Sequence, residues 1–131
     1  MKNKYLKLLL ITSLAYNFYL VGKWVLVDVW YTPNDEEKII LGEMVQKTIE
    51  SKQFKDISDK EKVISIETYI DKNKGGSYPF YFSVHVVTDL NTYIFDCSDK
   101  KCNSVDTGGT MYSRYEDESP RLPLELLDNK E

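Results

Sequence analysis

Cys97 and Cys102 are separated by four polar residues, Ser98, Asp99, Lys100 and Lys101. Between two extended runs that spacing brings the Cα atoms face to face across a hairpin, within disulfide range. A redox pair of the thioredoxin type would instead be spaced Cys-x-x-Cys in a βαβ setting. The one histidine, His85, sits in an alternating run, with Tyr81, Ser83 and Val87 on one side and Phe80, Phe82, Val84 and Val86 on the other. Local spacing gives it neither a nucleophile nor a base, so it reads as a structural or surface residue. One His and two Cys cannot build a four-ligand zinc site. Neither a phosphate-cradling glycine loop, nor a zinc-binding helix motif, nor a nucleophile elbow occurs. No cofactor and no metal is expected, and the chain reads as a non-enzyme.

One triplet is left over. Asp106-Thr107-Gly108 resembles the catalytic loop of aspartic proteases, where two loops bring two carboxylates together to share a proton. That family expects an apolar pair before the Asp, whereas Ser104 precedes Val105, and no second triplet follows. The resemblance implies an enzyme only as a dimer; otherwise Asp-Thr-Gly-Gly reads as a tight turn.

Charge divides the chain. Lys2, Lys4, Lys7 and Lys23 against Asp28 give residues 1–31 a net +3, while residues 32–131 hold 13 positive and 20 negative groups, net −7. An overall charge of −4 lacks the broad attraction to phosphate on which nucleic-acid binding depends, so no nucleic-acid partner is expected. Residues 8–22 carry no charge, and apolar character resumes past Lys23, so residues 8–27 make a helix of about 30 Å, one hydrocarbon thickness. Trp24, Trp30 and Tyr31 suit the interfacial belt, and Lys23 can snorkel. Three lysines before the run and acid after it orient the segment with its N-terminus in the cytoplasm and residue 32 onward outside, a single-pass inner-membrane protein with a periplasmic domain. A signal peptide cleaved near Ala15 would have an unusually short apolar core, which favours an uncleaved anchor.

Three parts follow: a signal anchor over 1–31, a soluble domain over 32–115 and an acidic, proline-containing tail over 116–131. Pro33 stops the first helix, and Asn34 with Glu37 forms a capping box that starts a second. Its inward stripe is read as Ile40, Met44, Val45, Thr48 and Ile49, over roughly residues 35–53. Ser58 and Glu61 also look like a capping box, but Ile64, Ile66, Thr68 and Ile70 alternate, so residues 63–70 are read as a strand. Further strands are expected over 80–88 and 92–97, then from Cys102 until Gly108-Gly109 interrupts, with Met111 to Tyr115 as a last edge strand. Short loops favour antiparallel neighbours. The expected fold is α+β and cystatin-like, one amphipathic helix laid across a four- to five-stranded antiparallel meander. In the tail, Leu122, Leu124, Leu126 and Leu127 are greasy enough to dock on something.

Ten tyrosines and many carboxylates on a small domain suit a protein-binding surface, and strand propensity accounts for the tyrosines equally well. Candidate contacts are Glu116, Asp117 and Glu118 for a basic partner, then Tyr81 and Tyr93. The order of parts, a short basic N-terminus, one anchor and an acidic disulfide-bearing α+β body, is similar to small membrane-anchored immunity proteins that protect bacteria from toxins acting in the periplasm. That resemblance implies occlusion of a toxin, and it rests on organisation, with no shared motif to transfer. The different-class alternatives are an accessory subunit of an envelope complex and, more distantly, the dimeric protease.

Overall fold

In a computed structural model of the chain, residues 2–73 and 76–124 are described. Helix α1 (Lys2–Lys23) runs without a break into a π-helical stretch, Trp24–Val29. Together Asn3–Val29 form a helix of 27 residues, long and apolar enough to cross a membrane, and none of its most apolar window is buried in the molecule. The span read from the sequence lies inside it.

Helix α2 (Asp35–Glu50) begins at the expected capping box. Glu37 N–H donates to Asn34 Oδ1 at 2.8 Å and Asn34 N–H to Glu37 Oε2 at 2.9 Å, while Asp35, Glu36 and Glu37 complement the positive end of the helix. The helix expected over 35–53 is in fact two. Ser51 adopts extended backbone and ends α2 through its N–H to Thr48 O at 3.1 Å. Its hydroxyl then accepts from Phe54 N–H at 3.1 Å and starts α3 (Lys52–Ser58). A side-chain oxygen that caps more strongly than it continues a helix is the cause of the break.

Four strands follow, β1 (Val63–Ile70), β2 (Phe82–Thr88), β3 (Asn91–Cys97) and β4 (Val105–Tyr112), antiparallel in the order β1-β2-β3-β4. Residues 59–71 thus yield a strand, and the Ser58 to Glu61 pattern marks a helix end. Three expectations for β4 are corrected. It starts at Val105, because residues 98–104 make the disulfide loop. Gly108-Gly109 does not interrupt it: Ile94 pairs with Gly109 and Phe95 with Thr107, so Gly108 is the extra residue of a bulge inside a continuous strand. Met111 and Tyr112 close β4, and Arg114–Glu116 forms a 3-10 turn in place of a fifth strand.

α2 and α3 cover one face of the sheet. Leu41, Met44 and Ile57 pack on Ile70, Phe82, Val84, Val86, Phe95, Cys97 and Val105. Phe82, Val84, Val86 and Phe95 are wholly buried, each contributing about 1.5–3 kcal/mol of transfer free energy. The inward stripe of α2 is Glu37, Leu41, Met44 and Thr48, spaced four, three and four; Ile49 lies about 100° further round and is exposed. Buried Thr48 donates its hydroxyl to Met44 O at 2.8 Å.

Candidate functional site

The sheet has two unlike ends. At one, Ile70, Phe82, Cys97 and Val105 lead into the loops after β1 and β3, and the N-terminal helix joins here: Asn73 Nδ2 donates to Tyr31 Oη at 2.6 Å. Lys72 Nζ lies 2.8 Å from Glu37 Oε1 and 5.9 Å from the Tyr81 ring centre. Burial pushes the Glu37 carboxyl up, but the Lys72 ammonium and the Asn34 N–H outweigh it and hold the group below its ordinary range. Tyr81, half-buried against Phe82 and Tyr78, is shifted upward by burial and by the Glu37 charge.

The same end holds the disulfide loop. Cys97 and Cys102 stand at disulfide distance, their Cα atoms 4.8 Å apart. Asp99 accepts from Lys101 N–H at 2.7 Å, and Cys102 N–H donates to Asp99 O at 3.0 Å, bending the chain through the left-handed φ of 52° at Cys102. A cleft of about 460 Å³ separates this loop from α2, lined by Glu43, Lys47, Tyr78, Lys100 and Lys101 among others.

At the opposite end Glu61 gathers three donors. Thr88 Oγ1 lies 2.5 Å from Glu61 Oε2, Tyr93 Oη 2.6 Å from Oε1, and Asn91 Nδ2 3.1 Å from Oε1. Burial raises the Glu61 carboxyl and the three hydrogen bonds more than reverse that, while the same bond to Glu61 is the main cause of the upward shift of Tyr93. Ser113 Oγ donates to Thr88 O, which fixes the chain behind β4 at this end. Glu116, Asp117 and Glu118 follow directly, all exposed. Seven- and eight-residue strands put Ser113, where this segment leaves β4, about 23–27 Å of strand away from the end where the N-terminal helix joins.

The candidate contacts therefore do not form one surface. Tyr93 is occupied by Glu61, and Tyr81 belongs to the other end of the sheet, packed beside Lys72. Only the acidic triplet is presented freely to solvent. Leu122 and Leu124 are exposed, whereas Leu126 and Leu127 lie outside the described residues.

A second concave feature has a more specific shape. α3 lies beside β4, and between them runs a groove of about 380 Å³ lined by Gln53, Asp56, Ile57, Tyr93, Thr107, Gly108, Gly109 and Thr110. β4 is the last strand of the sheet and is exposed over most of its length. Among the described residues, no backbone bond joins residues 105–112 to a loop or helix outside the sheet. A Cβ at Gly108 would collide with the Asp96 carboxylate, whereas one at Gly109 would meet open space. Asp106 lies near Gln53, whose Nε2 is 3.5 Å from its Oδ1. The triplet Asp106-Thr107-Gly108 is thus part of an open strand edge and not a tight turn.

The outer face of the sheet carries a polar array. Tyr69 Oη donates to Glu67 Oε2 at 2.8 Å, Arg114 Nη2 reaches the same oxygen at 2.7 Å, and Tyr69 stacks on His85 with ring centres 4.2 Å apart. Ser83 Oγ lies 3.4 Å from His85 Nε2. Acceptance by Glu67 and burial both raise the Tyr69 hydroxyl, against the opposing effect of Arg114. This arrangement ties the chain after β4 across the sheet to β1. Among the described residues no group of three or more His, Cys, Asp or Glu is placed to hold a metal ion.

No family model, curated protein or solved structure matches the chain. Sequence reasoning missed the residues of the groove, Gln53, Asp56 and Thr110, since they come together only when α3 turns at Ser51. The signal that was available is Gly108-Gly109 inside a strand, a composition that marks a bulge or the close approach of another backbone.

Proposed function

We propose that the protein is a membrane-anchored, non-catalytic binding protein whose folded domain stands in the periplasm and occludes a protein partner, most sharply as an immunity protein neutralising a basic toxin. The observation that carries this reading is the exposed triplet Glu116, Asp117 and Glu118 at the end of the sheet remote from the N-terminal helix, where a soluble basic protein can reach it. The flanking lysines orient the helix with its N-terminus inside. Acids presented in this way steer a cationic partner and favour its encounter.

The test is in-cell cross-linking of the full chain followed by identification of what is captured. A basic toxin whose killing is relieved by expressing this chain is the expected result. Constitutive subunits of one envelope assembly, with no protection from any toxin, would favour the accessory-subunit reading. The captured partner should be recovered uncleaved, and cleavage of it that stops with Asp106→Ala would reopen proteolysis. A reporter active only in the periplasm, fused after Glu131, should be active, and activity of a cytoplasmic reporter there would overturn the topology.

A further inference from the structure

We propose that the free edge of β4 receives an extended, basic segment of a partner protein, which adds a fifth strand along Gly109 to Tyr112 and lays alternate side chains into the groove under α3. The proposal rests on the reading of the protein as a binding module and names the part of the partner that it holds.

Three features of the molecule converge on it. The edge is open: β4 ends the sheet, and among the described residues its backbone groups hydrogen-bond to the backbone of no loop or helix. Open edges of this length are usually blunted by lysine, by proline or by a covering element. Between Val105 and Tyr112 there is no Lys and no Pro, only the bulge at Gly108. That bulge bends the strand upstream and leaves the run from Gly109 to Tyr112 in regular pairing with Ile94 to Asn91.

The approach is also unobstructed. Gly109 has no side chain, and the space where one would stand above the sheet is empty to 4 Å, so nothing on that face of β4 crowds a backbone laid alongside it. The far β1 edge contrasts with this: Arg114, Tyr115, Glu118 and Arg121 lie alongside Ser65 and Glu67 on its outer face.

Charge then selects the occupant. Asp56 lines the groove and Asp106 stands at its mouth beside Gln53, with no lysine or arginine in the lining. In strand addition the main chain supplies most of the affinity and alternate side chains supply the choice of sequence. Lysine or arginine at alternate positions of the incoming strand would meet the two carboxylates, and acidic residues would be repelled by them.

The full chain in phosphatidylcholine nanodiscs is titrated with a synthetic peptide of alternating lysine and valine, and amide hydrogen exchange is followed residue by residue. Exchange at residues 109–112 should slow at least about tenfold at saturation, and the glutamate–valine analogue should bind at least about tenfold more weakly. The double reversal Asp56→Lys and Asp106→Lys should invert that preference. Three results would overturn the proposal: no slowing at 109–112 with either peptide, equal affinity for both, or protection already present without peptide that is lost on dilution, which would mean the edge is paired with a second copy. Failure here leaves the toxin test untouched, because a partner captured in cells can still be held at Glu116 to Glu118. Failure of that test leaves the peptide result standing.

Discussion

Tyr93 Oη donates to Glu61 Oε1 at 2.6 Å, joining the middle of the sheet to the segment that brings the chain from α3 to β1. Asn91 and Thr88 bond to the same carboxylate, so one side chain closes the far end of the domain. Tyr93→Phe removes one donor and should lower stability by about 1 kcal/mol, whereas Glu61→Ala strands three partly buried donors and should cost about 2–3 kcal/mol. Denaturant unfolding of the full chain in detergent checks the order; equal losses would mean that the three bonds do not act through Glu61.

The pH dependence follows from Glu61 and Glu37, both held below their ordinary value of 4.5 in the folded chain. A group whose pKa is depressed on folding contributes stability that is fully present above its unfolded value and is lost as pH falls through the folded one. Melting temperature should therefore be insensitive to these two groups at neutral pH and should fall below about pH 4.5. In Glu61→Gln the acid slope should be shallower, and an unchanged slope would remove Glu61 from the account.

Cys97 and Cys102 close a loop of five sequence steps, for which chain entropy gives about 2 kcal/mol. The double Cys→Ser variant should lose that amount. Intact mass without reductant should show protein from an oxidising compartment lacking two hydrogens. Two free thiols in such material would exclude the bridge.

Adjacent glycines of β4 should respond unequally to alanine. Gly108→Ala drives a methyl group into the Asp96 carboxylate and should destabilise by on the order of 1–2 kcal/mol. Gly109→Ala enters open space and should stay within about 0.5 kcal/mol. Unfolding curves of the two variants decide it, and equal effects would place the bulge elsewhere.

Reversal of Glu116, Asp117 and Glu118 to lysine should slow association of the captured partner several-fold and leave its dissociation nearly unchanged. The wild-type on-rate should fall as salt rises and the Debye length shrinks to about 8 Å. Stopped-flow association at two ionic strengths reads both. Salt-independent association with no effect of the reversal would reduce the triplet to a solubility feature.

Local signals foretold much of this fold. The Asn34 capping box, the alternation from Val63 to Ile70 and the four polar residues between the cysteines each depend on neighbours a few positions away, and each was legible. Ser51 was not, because a serine inside a helical pattern caps or continues according to what the next turn can bury, and here Phe54 and Ile57 reach the core. The bulge at Gly108 was hidden for a related reason: a glycine pair reads as a break until the partner strand shows that pairing resumes beyond it. The groove combines both of these features, so its residues carried no linear signature.

Only Trp30, Tyr31, Thr32, Pro33 and Asn34 separate the helix that can cross a membrane from α2, and Tyr31 among them is bonded to Asn73. Five residues span at most about 17 Å, so with the helix in a bilayer the domain has a short leash. Its search for a partner would then be a patrol of a thin layer above the lipid, at one nearly constant height and tilt. Capture would depend on the number of copies per unit area of membrane, and a partner that never comes within a domain's length of the surface would go unmet however tightly it could bind.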